Sequence, residues 1–281
     1  AVYDQRESLD LDEQDMQLLE DTYKGFARSG ALLEGQDKEL YREYSSELSQ
    51  LTLKFGQNAQ AATNAFSYNI TDPAKVEELP AFVKEGLAAE AEARGEKGWT
   101  VTLHAPSYSP FMTYSTQRDI KEALYRAYNT RGIGGETDNV ENIRRIAELR
   151  LKIANLLGYK CYADYVLEDR MAESTKTVNG FLAELNKATL SYAKKDVAAI
   201  TEYAHSLGFE GELAPWDFGY YNEKYKEAKY AINDEQIKPY LQLENVKNAV
   251  FMLAGKLYGL TFTPVDNIET YHPEATVYEV R

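Results

Sequence analysis

Apolar side chains recur along this chain at steps of three and four, the spacing that lines up one face of an α-helix. The longest series is Leu40, Tyr44, Leu48, Leu51, Phe55, Ala59, Ala62 and Phe66. It predicts a helix of about 30 residues, or about 45 Å at about 1.5 Å per residue. Gly56 interrupts that helix at a cost of about 1 kcal/mol relative to Ala. A helix so long runs along the side of a large molecule. Ahead of it, Met16, Leu19, Tyr23 and Phe26 make a stripe over residues 12–29, with Gly30 as the stop. A second long helix is predicted over 175–207, with Phe181, Leu185, Tyr192, Ala199 and Tyr203 turned inward.

Between these runs the pattern changes. Thr71-Asp72-Pro73 reads as a cap with proline in a first turn, and a helix over 80–94 ends at Gly95. Trp99, Val101 and Leu103 alternate, which predicts a short strand over 99–103. The stretch HAPSYSPF, with Pro106 and Pro110, reads as a loop, and a helix resumes over 117–129. The glycine cluster at 131–136 marks a possible sub-boundary. After it Thr137 or Asp138 caps a helix carrying Ile143, Ile146, Leu149, Ile153, Leu156 and Leu157. APWDFGYYNEKYKEAKY starts a helix at its proline, a shorter helix precedes Pro239, and ENVKNAVFMLAGKLYG forms the last. Past Gly259, LTFTPV and ATVYEV read as strands. The expected fold class is therefore mostly α: a long-helix bundle with a few short strands near 99–103 and 260–280. The expected organisation is a helical segment over 1–258 and the start of a small β region over 259–281. A lone strand pair is marginal in water, so this sheet is expected to continue in a longer parent polypeptide.

Charge narrows the function. The chain has 45 acidic and 31 basic residues, a net charge of −14, which disfavours nucleic acid and anionic membranes as partners. The acidic surface could draw cationic peptides, but solubility is the favoured reading. No apolar run approaches the roughly 20 residues that cross a bilayer. The acidic, polar N-terminus lacks the features of a signal or transit peptide, and without an initiator Met it suggests a removed leader or a piece of something longer. One cysteine, Cys161, leaves no disulfide within the chain and fits a reducing compartment. A cytoplasmic location is expected, with a periplasmic parent as the alternative.

The usual catalytic motifs are missing. The three histidines, His104, His205 and His272, are followed by APSY, SLGF and PEAT, so none begins HExxH. His272-Pro273-Glu274 matches H-x-E, but zinc deaminases also need two further cysteines. No G-x-S-x-G elbow appears, and the glycines at 132–135 fit neither phosphate-binding loop pattern. Asn69-Ile70-Thr71 matches a glycosylation acceptor by three residues only, and is set aside. The 22 tyrosines cluster, among other places, at Tyr108 and Tyr114, at Tyr125 and Tyr128, and at Tyr220, Tyr221 and Tyr225. An apolar ring with a polar tip suits a wet peptide groove, and it suits helix packing as well; packing is favoured for any single tyrosine.

Several segments, in order along nearly the whole chain, carry a resemblance. LTLKFGQNAQAATNAF, WTVTLHAPSYSPFMTYSTQRDIKEALYRAYNTRG, LRLKIANLLGYKCYADYVLEDRMAES, PWDFGYYNEKY and the closing LYGLTF…YHPEATVYEV resemble the thimet oligopeptidase/neurolysin family of zinc metallopeptidases, particularly its bacterial peptidyl-dipeptidase branch. The resemblance implies a mostly helical, two-lobed enzyme with a deep channel that admits short peptides. It further implies that zinc is held by an HExxH helix and a later glutamate, all beyond the YHP…VYEV region. No catalytic or metal-ligand role therefore carries onto any residue here, and no zinc is expected in this chain alone. The segment is expected to form channel wall, with His104, Tyr108, Tyr220 and Tyr221 as candidates. Its expected partners are short peptide substrates and the C-terminal catalytic half of the same polypeptide. Release of C-terminal dipeptides is the expected reaction of the parent, with internal cleavage of oligopeptides second. The rival from another class is a non-catalytic helical peptide- or protein-binding module built on the tyrosine clusters; a degenerate family member without a zinc half is a further rival. The purified 281-residue chain is expected to release no dipeptide from a test peptide. Chelator-sensitive dipeptide release, read by mass spectrometry, would overturn this.

Overall fold

The computed structural model describes residues 2–231 and 234–281. The chain is mostly α, with two small antiparallel sheets among the described residues. It divides into two compact units, Ala1–Asn222 and Glu223–Arg281.

The first unit is built around a two-stranded ribbon. Strand β1 (Ser67–Ile70) pairs antiparallel with β2 (Trp99–Thr102), Ser67 opposite Thr102 and Ile70 opposite Trp99. A two-stranded ribbon is marginal alone, so its stability comes from what covers it. Helices α3 (Ala81–Ala93), α4 (Ala105–Tyr114) and α5 (Arg118–Asn129) supply Val83, Leu87, Phe111, Ile120 and Leu124, which bury with Ile70, Val101 and Leu103 in one cluster. The alternation along β2 suggested one buried face, but Thr100 and Thr102 are buried too. The Thr100 hydroxyl donates to Glu96 (2.6 Å) and accepts from the Asn69 amide (2.9 Å), so the polar face is buried without losing its hydrogen bonds. Gly98, at φ +91°, is where the ribbon demands glycine: a Cβ there would lie 2.2 Å from the carbonyl oxygen of Ile70.

HAPSYSPF is not a loop. It forms the first turns of α4. Pro106 sits in the opening turn, where its missing N–H would have no helical partner anyway. Pro110 removes one internal bond, and burial of the neighbouring Phe111 in the core offsets that loss. β1 was also missed by the sequence reading, because four residues directly after a helix end are too few to show alternation.

The predicted long helix is α2 (Gly35–Ala65), 31 residues, packed along α6 (Val140–Leu156). Arg145 of α6 reaches Glu47 of α2 through two bonds, 2.6 and 2.7 Å. The glycine-rich stretch before α6 is tied down by a buried amide pair. Asn58 donates to Asn139 (3.1 Å), and Asn139 donates to the Phe55 carbonyl (3.1 Å). Asp138, one of the two foreseen caps, accepts from the Val140 amide (2.9 Å).

On α1 (Glu13–Arg28), the predicted stripe ends at Phe26, which is 64% exposed. One inward assignment needs correcting. On α8 (Thr175–Ser206), Phe181, Leu185 and Tyr192 are 63%, 46% and 66% exposed, and burial begins only at Ile200 and Ala204. Periodicity says which residues share a face, not what lies against it.

In the second unit, α11 (Leu243–Tyr258) carries Phe251, which stacks on Phe262 of β3 (Phe262–Val265) at 4.3 Å and meets Tyr278 of β4 (Val277–Val280) edge-on at 4.9 Å. Gly259, left-handed at φ +73°, ends the helix and turns the chain into the hairpin. The short helix expected before Pro239 is α10 (Asp234–Ile237), continued by a 3-10 turn to Leu241. Residues 232 and 233, inside the predicted helix-to-helix passage, lie outside the described residues. No helix among the described residues is long and apolar enough to cross a membrane.

Phe111→Ala is expected to destabilise the first unit by about 3–5 kcal/mol, from lost transfer free energy and the cavity left behind. Phe181→Ala in the same chain should change stability by less than about 0.5 kcal/mol. Urea unfolding followed by circular dichroism separates the two; similar losses for both would contradict the burial pattern.

Candidate functional site

Two of the four proposed wall residues sit on one short structure. The turn Ala214-Pro215-Trp216-Asp217 closes when the Asp217 N–H donates to the Ala214 carbonyl (2.9 Å). The Asp217 carboxylate returns the favour, accepting from the Ala214 N–H (2.9 Å). Asp217 then accepts the Tyr221 N–H at its own carbonyl (3.3 Å) and so begins α9 (Phe218–Tyr230), three residues after the proline rather than at it. Its side chain is almost wholly buried and takes a two-pronged bond from Arg118 of α5, Nε to Oδ1 and Nη2 to Oδ2 at 3.0 Å each. A planar guanidinium matches a carboxylate in this way and fixes orientation as well as distance.

Lys121, one turn along α5, is 2% exposed, and its ammonium lies 5.0 Å from the centroid of the Tyr220 ring. Burial pushes its pKa down, while the Asp217 charge works against that shift. Trp216 stands between two cations, Arg118 at 5.9 Å and Arg126 at 5.3 Å from its ring, with Tyr125 beside it at 5.8 Å. Its Nε1 is buried with no hydrogen-bond partner among the described residues. Tyr220 and Tyr221 meet edge-on at 5.1 Å, and Tyr221 packs on Phe209 at 5.3 Å. Burial raises the Tyr221 pKa. Gly219 lets α9 approach α4: a Cβ there would be 3.2 Å from the Met112 carbonyl oxygen.

The other two wall candidates lie on α4. His104 is exposed at its N-cap, where its carbonyl accepts from the Tyr108 N–H (2.8 Å). Tyr108 is half-buried and stacks on Tyr128 of α5 at 4.4 Å, with Arg131 over the far ring at 3.8 Å; burial raises its pKa. The structure thus brings Tyr220 and Tyr221 into contact, and places Tyr108 in a separate aromatic stack. A cleft of about 470 Å³ elsewhere in the first unit is lined by Tyr23, Arg28, Leu33, Leu156, Tyr159 and Glu168, and includes none of the four.

Arg118, Lys121, Trp216 and Asp217 were not singled out from sequence. One signal was available, since Lys121 falls on the stripe Lys121, Leu124, Tyr128, where an apolar residue belongs. Nothing local foretold that Asp217 would pair with Arg118, 99 residues away in sequence.

A metal centre does not assemble here. His104 caps α4, His205 lies 2.9 Å from the Gly211 carbonyl oxygen, and His272 accepts from the Glu274 N–H at 3.2 Å. Among the described residues no group of three or more His, Cys, Asp or Glu side chains is placed to hold a metal ion. The described residues do not offer a ligand set that fits a zinc ion.

Lys121 is expected to lose its proton below the ordinary lysine value of about 10.4. The sign follows from the cause: a folded-state pKa below the unfolded one means that this group's contribution to stability grows as pH rises between the two. Asp217→Asn removes a nearby negative charge that favours the ammonium, so the Lys121 pKa should fall further. NMR titration of the lysine side-chain amines measures both, and an unchanged or raised pKa in Asp217→Asn would show that the carboxylate does not act on Lys121.

Comparison with known proteins gives a consistent result. Residues 111–281, more than half of the chain, match the model of the family described as Peptidase family M3. Oligopeptidase A of Salmonella typhimurium is 33% identical over 267 residues, covering 93% of this chain and 39% of that protein. Probable cytosolic oligopeptidase A of Arabidopsis thaliana is 34% identical over 275 residues, covering 94% and 39%. Dipeptidyl carboxypeptidase of Escherichia coli is 30% identical over 286 residues, covering 100% and 42%. The chain spans about two fifths of the length of these curated relatives.

Proposed function

The chain belongs to peptidase family M3, and from that premise we propose that it serves as the helical part of a longer zinc metallopeptidase that hydrolyses short peptides. The observation that carries this is the similarity, over 93% to 100% of the chain, to proteins named oligopeptidase A and dipeptidyl carboxypeptidase. In this reading the segment contributes shape rather than chemistry. Zinc, its ligands and the general base belong to the part of the polypeptide that the longer relatives also possess.

Tyr220 and Tyr221 are the best-supported wall residues, because the buried Asp217–Arg118 pair gives them a rigid base, and rings held in advance cost little entropy when a peptide binds. Tyr108 and His104 extend the same wall from α4. Short peptides are the substrates, nucleic acid and membranes are not partners, and the compartment is cytoplasmic.

Release of C-terminal dipeptides is the reaction of the parent, in line with the relative named dipeptidyl carboxypeptidase. Internal cleavage of oligopeptides is the second reading, favoured by the higher identity to oligopeptidase A. The full parent polypeptide, given an N-terminally blocked peptide, should yield C-terminal dipeptides by mass spectrometry, and a chelator should abolish them. Internal fragments would select the second reading, and no hydrolysis would leave the non-catalytic binding module. Replacing Tyr220 and Tyr221 together by Ala should raise KM by about tenfold with kcat little changed. An unaltered KM would remove both from the wall.

A further inference from the structure

Helix α8 spans 32 residues and, among the described residues, is held at its two ends. At the start, the Ser174 hydroxyl accepts from the Thr177 N–H (3.1 Å), and Thr175 donates to Asp164 of the preceding short helix (3.2 Å). At the finish, Ile200 and Ala204 are buried. The middle is different. Phe181, Leu182, Leu185, Leu190, Tyr192 and Val197 are each between 46% and 66% exposed. At about 100° per residue, Phe181, Leu185 and Tyr192 fall on one line and Leu182, Leu190 and Val197 on its flank, so exposed apolar side chains are spread over about half the circumference, with Asn186, Thr189 and Asp196 among them. Lys176, Glu184, Lys187, Ser191 and Lys194 occupy the remainder. A surface helix against a single neighbour needs an apolar stripe little wider than about 100°. Half a circumference calls for neighbours on two sides.

The step of four, three and four from Phe181 through Leu185 and Ala188 to Tyr192 is the spacing of side chains that interlock with another helix at a shallow angle. A second copy of this chain is a poor occupant, since each copy carries a net charge of −14. A lipid surface is a poor one for the same reason, and no helix among the described residues is apolar enough to span it. The relatives, by contrast, are more than twice the length of the matched region.

We propose that the exposed middle of α8, Phe181 to Val197, is a docking face for amphipathic helices supplied by the rest of the parent polypeptide. This rests on the reading of the chain as part of a longer peptidase, and it names the surface through which the two parts are joined. Burying the face in the parent makes α8 a wall shared by both parts, so that ordering one part orders the other.

Hydrogen exchange by mass spectrometry tests this on wild-type protein. Backbone amides of 181–197 should exchange at least about a hundredfold more slowly in the parent than in the 281-residue chain alone. Equal rates in the two would overturn the proposal. So would protection in the chain alone, whether independent of concentration, rising with concentration as for a second copy, or appearing only with phosphatidylglycerol vesicles. As a second measurement, Leu185→Glu should leave the melting temperature of the chain alone within about 2 °C and lower that of the parent by more than about 4 °C; equal shifts would count against the docking face. Peptide hydrolysis is assayed separately. A parent that cleaves peptides with an unprotected α8 refutes this proposal alone, and a protected α8 in a parent that cleaves nothing refutes the peptidase reading alone.

Discussion

The carboxylate of Asp217 is buried with no water-facing side, and a buried charge must be met by opposite charge and by donors or it will not stay charged. Here two prongs from Arg118 and one backbone N–H from Ala214 meet it. Because the guanidinium fork is planar, the turn can sit on α5 in only one orientation. That orientation decides where α9 begins, brings Gly219 against the carbonyl of Met112, and sets Tyr220 against the ammonium of Lys121. Losing either charged partner would leave the other without its counterpart, so the arrangement is held by the cost of breaking it more than by the gain of forming it.

Elsewhere the first unit uses a different device. There α2 and α6 lie side by side, and the glycine-rich stretch between α5 and α6 is kept from drifting by two asparagines that satisfy each other and neighbouring carbonyls. An amide supplies donors and an acceptor at once, so one buried pair can tie a loop to a helix without burying net charge. The ribbon β1–β2 and its three covering helices provide the buried apolar cluster of this unit.

Function follows from what such a body can and cannot do. Its histidines stand at three unrelated places and its cysteine is single. What it offers is a set of aromatic rings on a rigid base and a long helix with more apolar surface than its own chain covers. The chain belongs to peptidase family M3, and the function proposed for it assigns the rings to a peptide and the helix to the remainder of a longer polypeptide.

Local pattern determined the helical class, the extent of α2, the strand at Trp99 and the hairpin after Gly259, because each depends on periodicity or on a glycine whose conformation is set by its nearest neighbours. It also determined that no HExxH lies within these residues. Tertiary structure decided the rest. That HAPSYSPF is helix depends on the core waiting for Phe111, and that Phe181, Leu185 and Tyr192 face outward depends on which elements are present to meet them. The pairing of Arg118 with Asp217 joins residues 99 positions apart in sequence. Spacing along a chain records which side chains point the same way. Charge pairing and burial across such distances arise only when the folded backbone brings distant surfaces within reach, and no short-range pattern encodes that.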